Sequence, residues 1–247
     1  MLLSSCGVQY KQVPYFQDLP DTGIVQEQMD NLSILRIQKD DILAITVTSL
    51  NSEASAIFNM GNTSSLQNNA TPNISPSITA NGFLVGQDGS IQLPLVGSIV
   101  VDNLTTSEAR ELIQARLKSY LKEPVVSLRL VNFRISILGD VTRPGVYPVQ
   151  NEKINVSEAL SLAGDLTITA VRNNVLLIRE KDGKREYVRL DMQKKDLFNS
   201  HYYYLQNNDV LYVQPSKAKY ASVDSSYRNV SIIISALSVI ALLITRI

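Results

Sequence analysis

GFLVGQDGSIQLPLVGSIVVDNLTTSEA, Gly82 to Ala109, runs three short strand signals, two turns and a helix start together with no spare residue between them. Phe83 and Val85, Ile91 and Leu93, and Ile99 and Val101 each alternate across one residue, which places apolar side chains on one face of each strand. Asp88-Gly89 supplies the left-handed turn residues of a tight hairpin, so the stretch reads as a hairpin plus one further strand. Thr105 and Glu108 stand three apart as in a capping box, and Leu104 and Ala109 are placed to staple it. A helix starts there. Ala109, Leu112, Ile113, Leu117, Tyr120 and Leu121 recur at helical spacing, and Pro124 stops the run. Together these pieces form a small α+β layer.

On the N-terminal side, Leu35, Ile37, Ile42, Leu43, Ile45 and Val47 surround Lys39-Asp40-Asp41, which reads as two strands joined by a short polar turn. Asn, Ser, Thr and Pro dominate from Asn51 to Asn81, so little apolar surface is on offer and a long mobile loop is expected over 51–81. On the C-terminal side, Val125 to Leu138 reads as a strand pair. Gly139 opens the next turn, and Pro144-Gly145 matches the two corners of a type II turn, with Gly145 at positive φ. Asn155 and Glu158 predict a second capped helix that ends at Gly164. Val175 to Glu180 and Arg185 to Leu190 flank Lys181-Asp182-Gly183-Lys184 as a hairpin, and Leu205 to Val213 closes the unit. Ile37 to Ile45 and Leu205 to Val213 repeat one strand–turn–strand pattern around Asp41 and Asp209, and shared turn chemistry explains this better than a duplicated domain.

Composition narrows the function. With 23 basic and 23 acidic residues, the chain has no net field to attract nucleic acid. A single cysteine, Cys6, allows no intrachain disulfide, and a single histidine, His201, with no second thiol nearby, leaves no metal-ligand cluster at recognisable spacing, so no metal, cofactor or catalytic group is assigned. The chain is read as a non-enzyme. Tyr202, Tyr203 and Tyr204 are strand-type residues on alternating faces, which suits packing rather than one sugar-stacking platform. From Arg179 to Arg189 basic residues alternate with Glu180, Asp182 and Glu186, the pattern of a solvated hairpin face.

The two ends are different in kind. Residues up to about Met29 show no period and read as an extended tether. After a polar connector over 216–228, Val230 to Ile244 holds no charged residue and predicts a membrane helix within 229–247. About 15 residues span roughly 22 Å, nearer the apolar band of about 25 Å of outer-membrane barrels than the usual 30 Å. Ser231, Ser235, Ser238 and Thr245 share one narrow stripe of that helix. The stripe suits either a wet lumen or close helix packing.

Phe83, Val85, Asp88, Gly89, Ile91, Pro94, Gly97, Leu104, Thr105, Glu108 and Ala109 resemble the signature of the polysaccharide biosynthesis/export domain of Wza-like outer-membrane export proteins. Asp41 falls in that family's opening Gly-Asp turn, with Asp40 standing where Gly is usual, so a strained or reshaped turn is expected. Gly139, Pro144, Gly145, Leu160 to Gly164, and Asn208 to Val213 with Asp209 resemble a soluble-ligand-binding β-grasp (SLBB) domain. Leu3-Ser4-Ser5-Cys6 resembles a lipobox, and Val13 to Asp18 the segment after the cysteine in Bacteroidetes export lipoproteins. Lipid on Cys6 is then implied. Only five residues precede it, too few for a secretory signal, so the natural start is expected upstream of Met1.

The resemblance implies an α+β chain: an N-terminal lipoprotein tether over 1–31, a small β-rich export domain over 32–131, a β-grasp domain over 132–215 and a C-terminal transmembrane α-helix. It further implies a ring homo-oligomer, octameric in the best-known case, that passes capsular polysaccharide or exopolysaccharide across the outer membrane. The body would sit in the periplasm and meet an inner-membrane polysaccharide co-polymerase of the tyrosine-kinase type. The alternative is a monomeric lipoprotein that binds a soluble glycan or other ligand.

Overall fold

The computed structural model describes residues 13–28, 35–62, 82–181, 183–223 and 234. They form an α+β body around two hydrophobic cores. The expected lipidation site Cys6 and the membrane stripe Ser231, Ser235, Ser238 and Thr245 lie outside the described residues. Among the described residues, no helix is long and apolar enough to cross a membrane.

The first core is organised by β1 (Ile42–Thr48), whose Leu43, Ile45 and Val47 point inward and are fully buried. β1 pairs antiparallel with β2 (Phe83–Leu84) on one side and β5 (Val125–Leu130) on the other. β3 (Ser90–Leu93) and β4 (Gly97–Val100) form a separate hairpin that adds Ile91, Leu93 and Ile99 to the core. The helix expected after Thr105 is present over Thr106–Leu117. Its Thr105–Glu108 capping box is closed in both directions, and it buries Ala109, Ile113 and Leu117. Such a cap contributes about 1 kcal/mol.

The strand-and-turn reading needs five corrections, beginning in the first unit. The ladder hairpin closes across Pro94 to Val96, not across Asp88-Gly89. The Asp88-Gly89 turn does form, with Gly89 at φ +76 and the Asp88 carboxylate accepting from Ser90 N and Oγ at 3.1 and 2.7 Å. β2, however, turns its edge to β1. A Cβ on Gly89 would sit 2.6 Å from that of Asp102, so the turn excludes side chains by space as well as by φ.

Second, the segment around Ile37 is not a strand. Arg36 makes one isolated bridge to Thr105, and Ile37 instead trades backbone hydrogen bonds with Leu104 and Asn103. Third, the expected loop over 51–81 begins as packed structure. Asn51 caps a short helix (Ser52–Ala56), a 3₁₀ turn follows to Asn62, and Phe58 is 1% exposed in the first core. Asn59 bonds Val47 through both its amide oxygen and nitrogen. One aromatic anchor, the Asn51 cap and the Asn59 bridge to Val47 order a segment whose composition alone reads as loop. The rest of that loop, 63–81, lies outside the described residues.

Fourth, β5 and β6 (Arg134–Gly139) do not pair with each other; they belong to different sheets. The chain crosses between units at Val131 to Phe133. β6 pairs antiparallel with β7 (Gly145–Pro148) and parallel with β10 (Val210–Pro215). β10 also pairs with the long β8 (Ala170–Lys181), and β8 with β9 (Lys184–Leu190), in the order β7-β6-β10-β8-β9. The second capped helix, Val156–Leu162, packs Val156, Ala159 and Leu160 into this core. Gly164, at φ +75, ends it with the paired bonds Asp165 N to Leu160 O and Gly164 N to Ser161 O.

Gly145 is not at positive φ and instead opens β7 opposite Ile137, so the type II turn does not form. The left-handed residue in this region is Gly139, at φ +92, where a Cβ would fall 2.0 Å from the Val213 carbonyl oxygen. The approach of β6 to β10 thus depends on a missing side chain.

The N-terminal segment is also more than a tether. Residues 13–28 lie along the second unit as a strap. Phe16 N and Gln17 N donate to Met192 and Gln193 carbonyls, and the Phe16 ring stacks 4.6 Å from Phe198. Tyr15 bonds Asp165, and Lys195 N donates to the Asp18 carboxylate at 2.7 Å while its ammonium pairs with Glu27. Beyond β10, a last helix (Lys217–Val223) is tied back by Lys219 to the buried Asp140.

Candidate functional site

The two echoing turns supply the most organised polar structure in the molecule, and the fold brings them face to face. In the first, Asp41 is 2% exposed, accepts from Gln38 N at 2.8 Å and returns its own N–H to the Gln38 carbonyl. In the second, Asp209 is 1% exposed, accepts from Gln206 N at 2.7 Å and closes the same way. The preceding residues, Asp40 at φ +68 and Asn208 at φ +64, are left-handed. Asp and Asn tolerate that region better than other side-chain-bearing residues. The reshaping expected of Asp40 is therefore a φ that Gly would take more cheaply.

Asn207 joins the turns. Its Nδ2 donates to Asp41 Oδ1 at 2.7 Å while its Oδ1 accepts from Arg134 N at 3.1 Å. Asn132, at the crossover between the units, receives Ile42 N at 2.9 Å and donates to the Asp40 carbonyl at 2.9 Å. Gln38 and Gln206 touch at 3.5 Å. Burial pushes the Asp41 carboxyl above the ordinary aspartate range, opposed by the Gln38 N–H and the Asn207 amide. Asp209 is pushed the same way by burial, opposed by Arg179, which grips it in a bidentate pair at 2.7 and 3.0 Å.

Above this joint lies an open cleft of about 1080 Å³, walled by the two turns, by Asp102-Asn103 and by the β8–β9 hairpin end. Its lining among the described residues is amide and charge apart from Ile37 and Gly183. Among the described residues, no group of three or more His, Cys, Asp or Glu stands together as a metal site.

The residues singled out from sequence divide by place. Asp41 and Asp209 are brought together at the joint. Asp88, Gly89, Pro94 and Gly97 shape turns of the first unit. Gly139, Pro144, Gly145 and Gly164 belong to the second unit away from the cleft, with Gly164 against Thr142 and Arg143. The three tyrosines separate: Tyr203 is buried beside Phe198, Tyr202 bonds Glu186 under Arg179, and Tyr204 faces Lys153.

Arg179 departs from the solvated-face reading, being 5% exposed. The signal was present in the strand period, since Val175, Leu177 and Arg179 share the inward face of β8. Asn207 and Asn132 had no such signal, because their partners are contributed by distant turns.

The sequence pattern of the family described as polysaccharide biosynthesis/export protein matches residues 30–131, and that of the SLBB domain matches 134–213. The chain is 31% identical over 121 residues to the EPS I polysaccharide export outer membrane protein EpsA of Ralstonia solanacearum, covering 48% of this chain and 30% of that protein. It is 30% identical over 102 residues to EpsA of Ralstonia nicotianae, covering 40% and 26%. To the exopolysaccharide production protein ExoF of Rhizobium meliloti it is 32% identical over 94 residues, covering 36% and 22%. The matched stretches thus span less than a third of these relatives. An export signature on the first core is thus followed by an SLBB signature on the second, the domain order that supports a Wza-like polysaccharide export protein.

Proposed function

We propose that the chain is the subunit of an outer-membrane polysaccharide export channel: a ring of identical copies that passes capsular polysaccharide or exopolysaccharide from periplasm to cell surface. What carries this reading is the order of export and SLBB domains combined with where the chain ends leave. The strap over 13–28 lies on the SLBB domain, and the last described helix leaves that domain directly from β10.

With a lipid on Cys6, about ten residues, at most some 35 Å of extended chain, reach Phe16. At the other end, a membrane helix over Val230 to Ile244 starts shortly after Val223. Two anchors then hold the SLBB domain beside the outer membrane and leave the export domain at the far end, where an inner-membrane co-polymerase would meet it. In a ring of such helices, Ser231, Ser235, Ser238 and Thr245 face a wet lumen while the isoleucines and leucines face lipid. In this reading the protein performs no covalent chemistry.

Replacing Ser231, Ser235 and Ser238 together with Leu separates channel from anchor. Insertion should be kept or improved, since three hydroxyls leave a membrane helix. Surface polysaccharide should nevertheless fall to the level of cells lacking the gene, because apolar constrictions close pores by dewetting. Normal surface polymer with normal membrane localisation would remove the pore role of this segment. The SLBB signature and the open cleft favour one other reading, a monomeric ligand-binding lipoprotein; a monomer mass in mild detergent would establish it over the channel.

A further inference from the structure

We propose that the cleft between the export and SLBB domains is a binding site for a carboxylated segment of the glycan, and that it discriminates acidic from neutral sugars. This rests on the export reading and adds to it a site and a substrate class.

Size comes first. At about 1080 Å³ the cleft is at least as large as the pockets of about 300–1,000 Å³ that enclose drug-sized ligands, and its open side suits a chain that enters and leaves. Its chemistry is more telling. Gln38, Gln87, Gln206, Asn103, Asn207 and Asn208 present planar amides that can both donate to and accept from hydroxyl groups. Among the described residues no aromatic ring lines it, so they offer none of the stacking that holds neutral sugars.

Charge then decides the class of ligand. Among the described residues, the lining holds five basic side chains, including Lys39, Lys181 and Lys184, against the acidic Asp40, Asp102 and Glu180. Both arginines are already engaged, Arg185 with Glu180 and Arg36 with Glu108, and Asp40 accepts from the neutral Gln87 amide at 2.8 Å, so three lysines stand against the charges of Asp40 and Asp102. Lys39, Lys181 and Lys184 enter no ion pair among the described residues. Their ammonium groups are donors facing an amide-lined space, which is complementary to a sugar carboxylate ringed by hydroxyls. Exposed ion pairs are individually weak and screened by salt, so binding should be loose and rapidly reversible, as passage of a polymer requires.

The joint also gives the site a rigid floor. Asn207 is 7% exposed and fixed at both ends of its amide, so the two domains present the cleft walls at a set spacing.

The test uses the purified full chain in mild detergent, with hexagalacturonate as the acidic probe and maltohexaose as the neutral one, titrated by calorimetry or NMR. Hexagalacturonate should bind at low salt and weaken severalfold at high salt, while maltohexaose should not bind. The double substitution Lys181→Glu with Lys184→Glu, at an exposed hairpin end, should weaken hexagalacturonate about fivefold or more with unchanged thermal melting; Lys39→Glu, on the opposite wall, should act in the same direction. Equal binding of the two probes, binding indifferent to these substitutions, or no binding of hexagalacturonate would each overturn the proposal. A chain that fails to bind hexagalacturonate while the triple-serine variant still loses surface polymer would leave the channel standing and remove the cleft. Binding as expected, with export untouched by the serine changes, would do the reverse.

Discussion

The turns Gln38–Asp41 and Gln206–Asp209 bury the same side chain in the same backbone shape, yet they settle its charge by different means. Asp209 is held by a guanidinium on β8, with Arg179 itself buried and also donating to the Tyr204 carbonyl at 3.0 Å. Among the described residues no cation is in hydrogen-bonding contact with Asp41; a backbone N–H and the Asn207 amide, reaching across from the other domain, do that work. One turn is therefore completed within its own sheet, whereas the other is completed only when the domains dock. The difference makes Asp41 a reporter of the joint and Asp209 a reporter of the SLBB core.

The largest effect should come from breaking the self-contained turn. Arg179→Leu leaves Asp209 as a buried charge without its cation and should cost about 3–5 kcal/mol in denaturant unfolding. Part of that loss should return on mild acidification, as the stranded carboxyl takes up a proton. A loss below about 1 kcal/mol would mean that the pair is dispensable.

Asp41→Asn should cost less, about 1–2 kcal/mol, because it gives up one acceptor while removing a buried charge. Its pH dependence is the sharper readout. Burial raises the folded-state pKa of Asp41, so between the ordinary carboxylate value and the raised one the folded state holds more protons than the unfolded state. Stability from this group therefore falls as pH rises through that window, and the variant should lose that part of the slope. Asp140 has the opposite sign. Burial would raise it, but hydrogen bonds from Lys219, Thr169 and Thr167 win and hold it low, so its contribution is present above the ordinary value and lost at more acidic pH. An unchanged slope in Asp41→Asn would show that burial does not raise the Asp41 carboxyl.

The smallest effect should be a gain. Asp40→Gly relieves a left-handed φ and should stabilise by about 0.5–1 kcal/mol, offset in part by the freer unfolded chain. Asn208→Gly should gain less, since Asn takes this region more readily than Asp; each substitution also gives up one acceptor, of Gln87 Nε2 at Asp40 and of Arg134 Nε at Asn208. Equal gains at both would mean that the two turns carry equal strain.

What the sequence disclosed follows the same division between local and distant partners. Both capping boxes, the Asp88-Gly89 turn, the Gly164 stop and the β8–β9 hairpin were legible because each is settled within a few residues. β2 choosing β1, β5 and β6 parting into different sheets, and the strap lying on Met192 and Gln193 were not, because strand edges carry no local mark of their partner. Gly139 and Gly145 illustrate the limit: both suit a turn, and only the packing of β6 against β10 shows which must lack a Cβ. At the site, the paired Asp turns were visible as a repeat, whereas the amide of Asn207 that joins them was not.

The central claim is a ring-shaped conduit, and imaging of the full chain extracted in mild detergent tests it most directly. The expected result is a rotationally symmetric particle with a central channel, the SLBB domains next to the detergent belt and the export domains at the opposite end. A uniform population of monomers without a channel would contradict it.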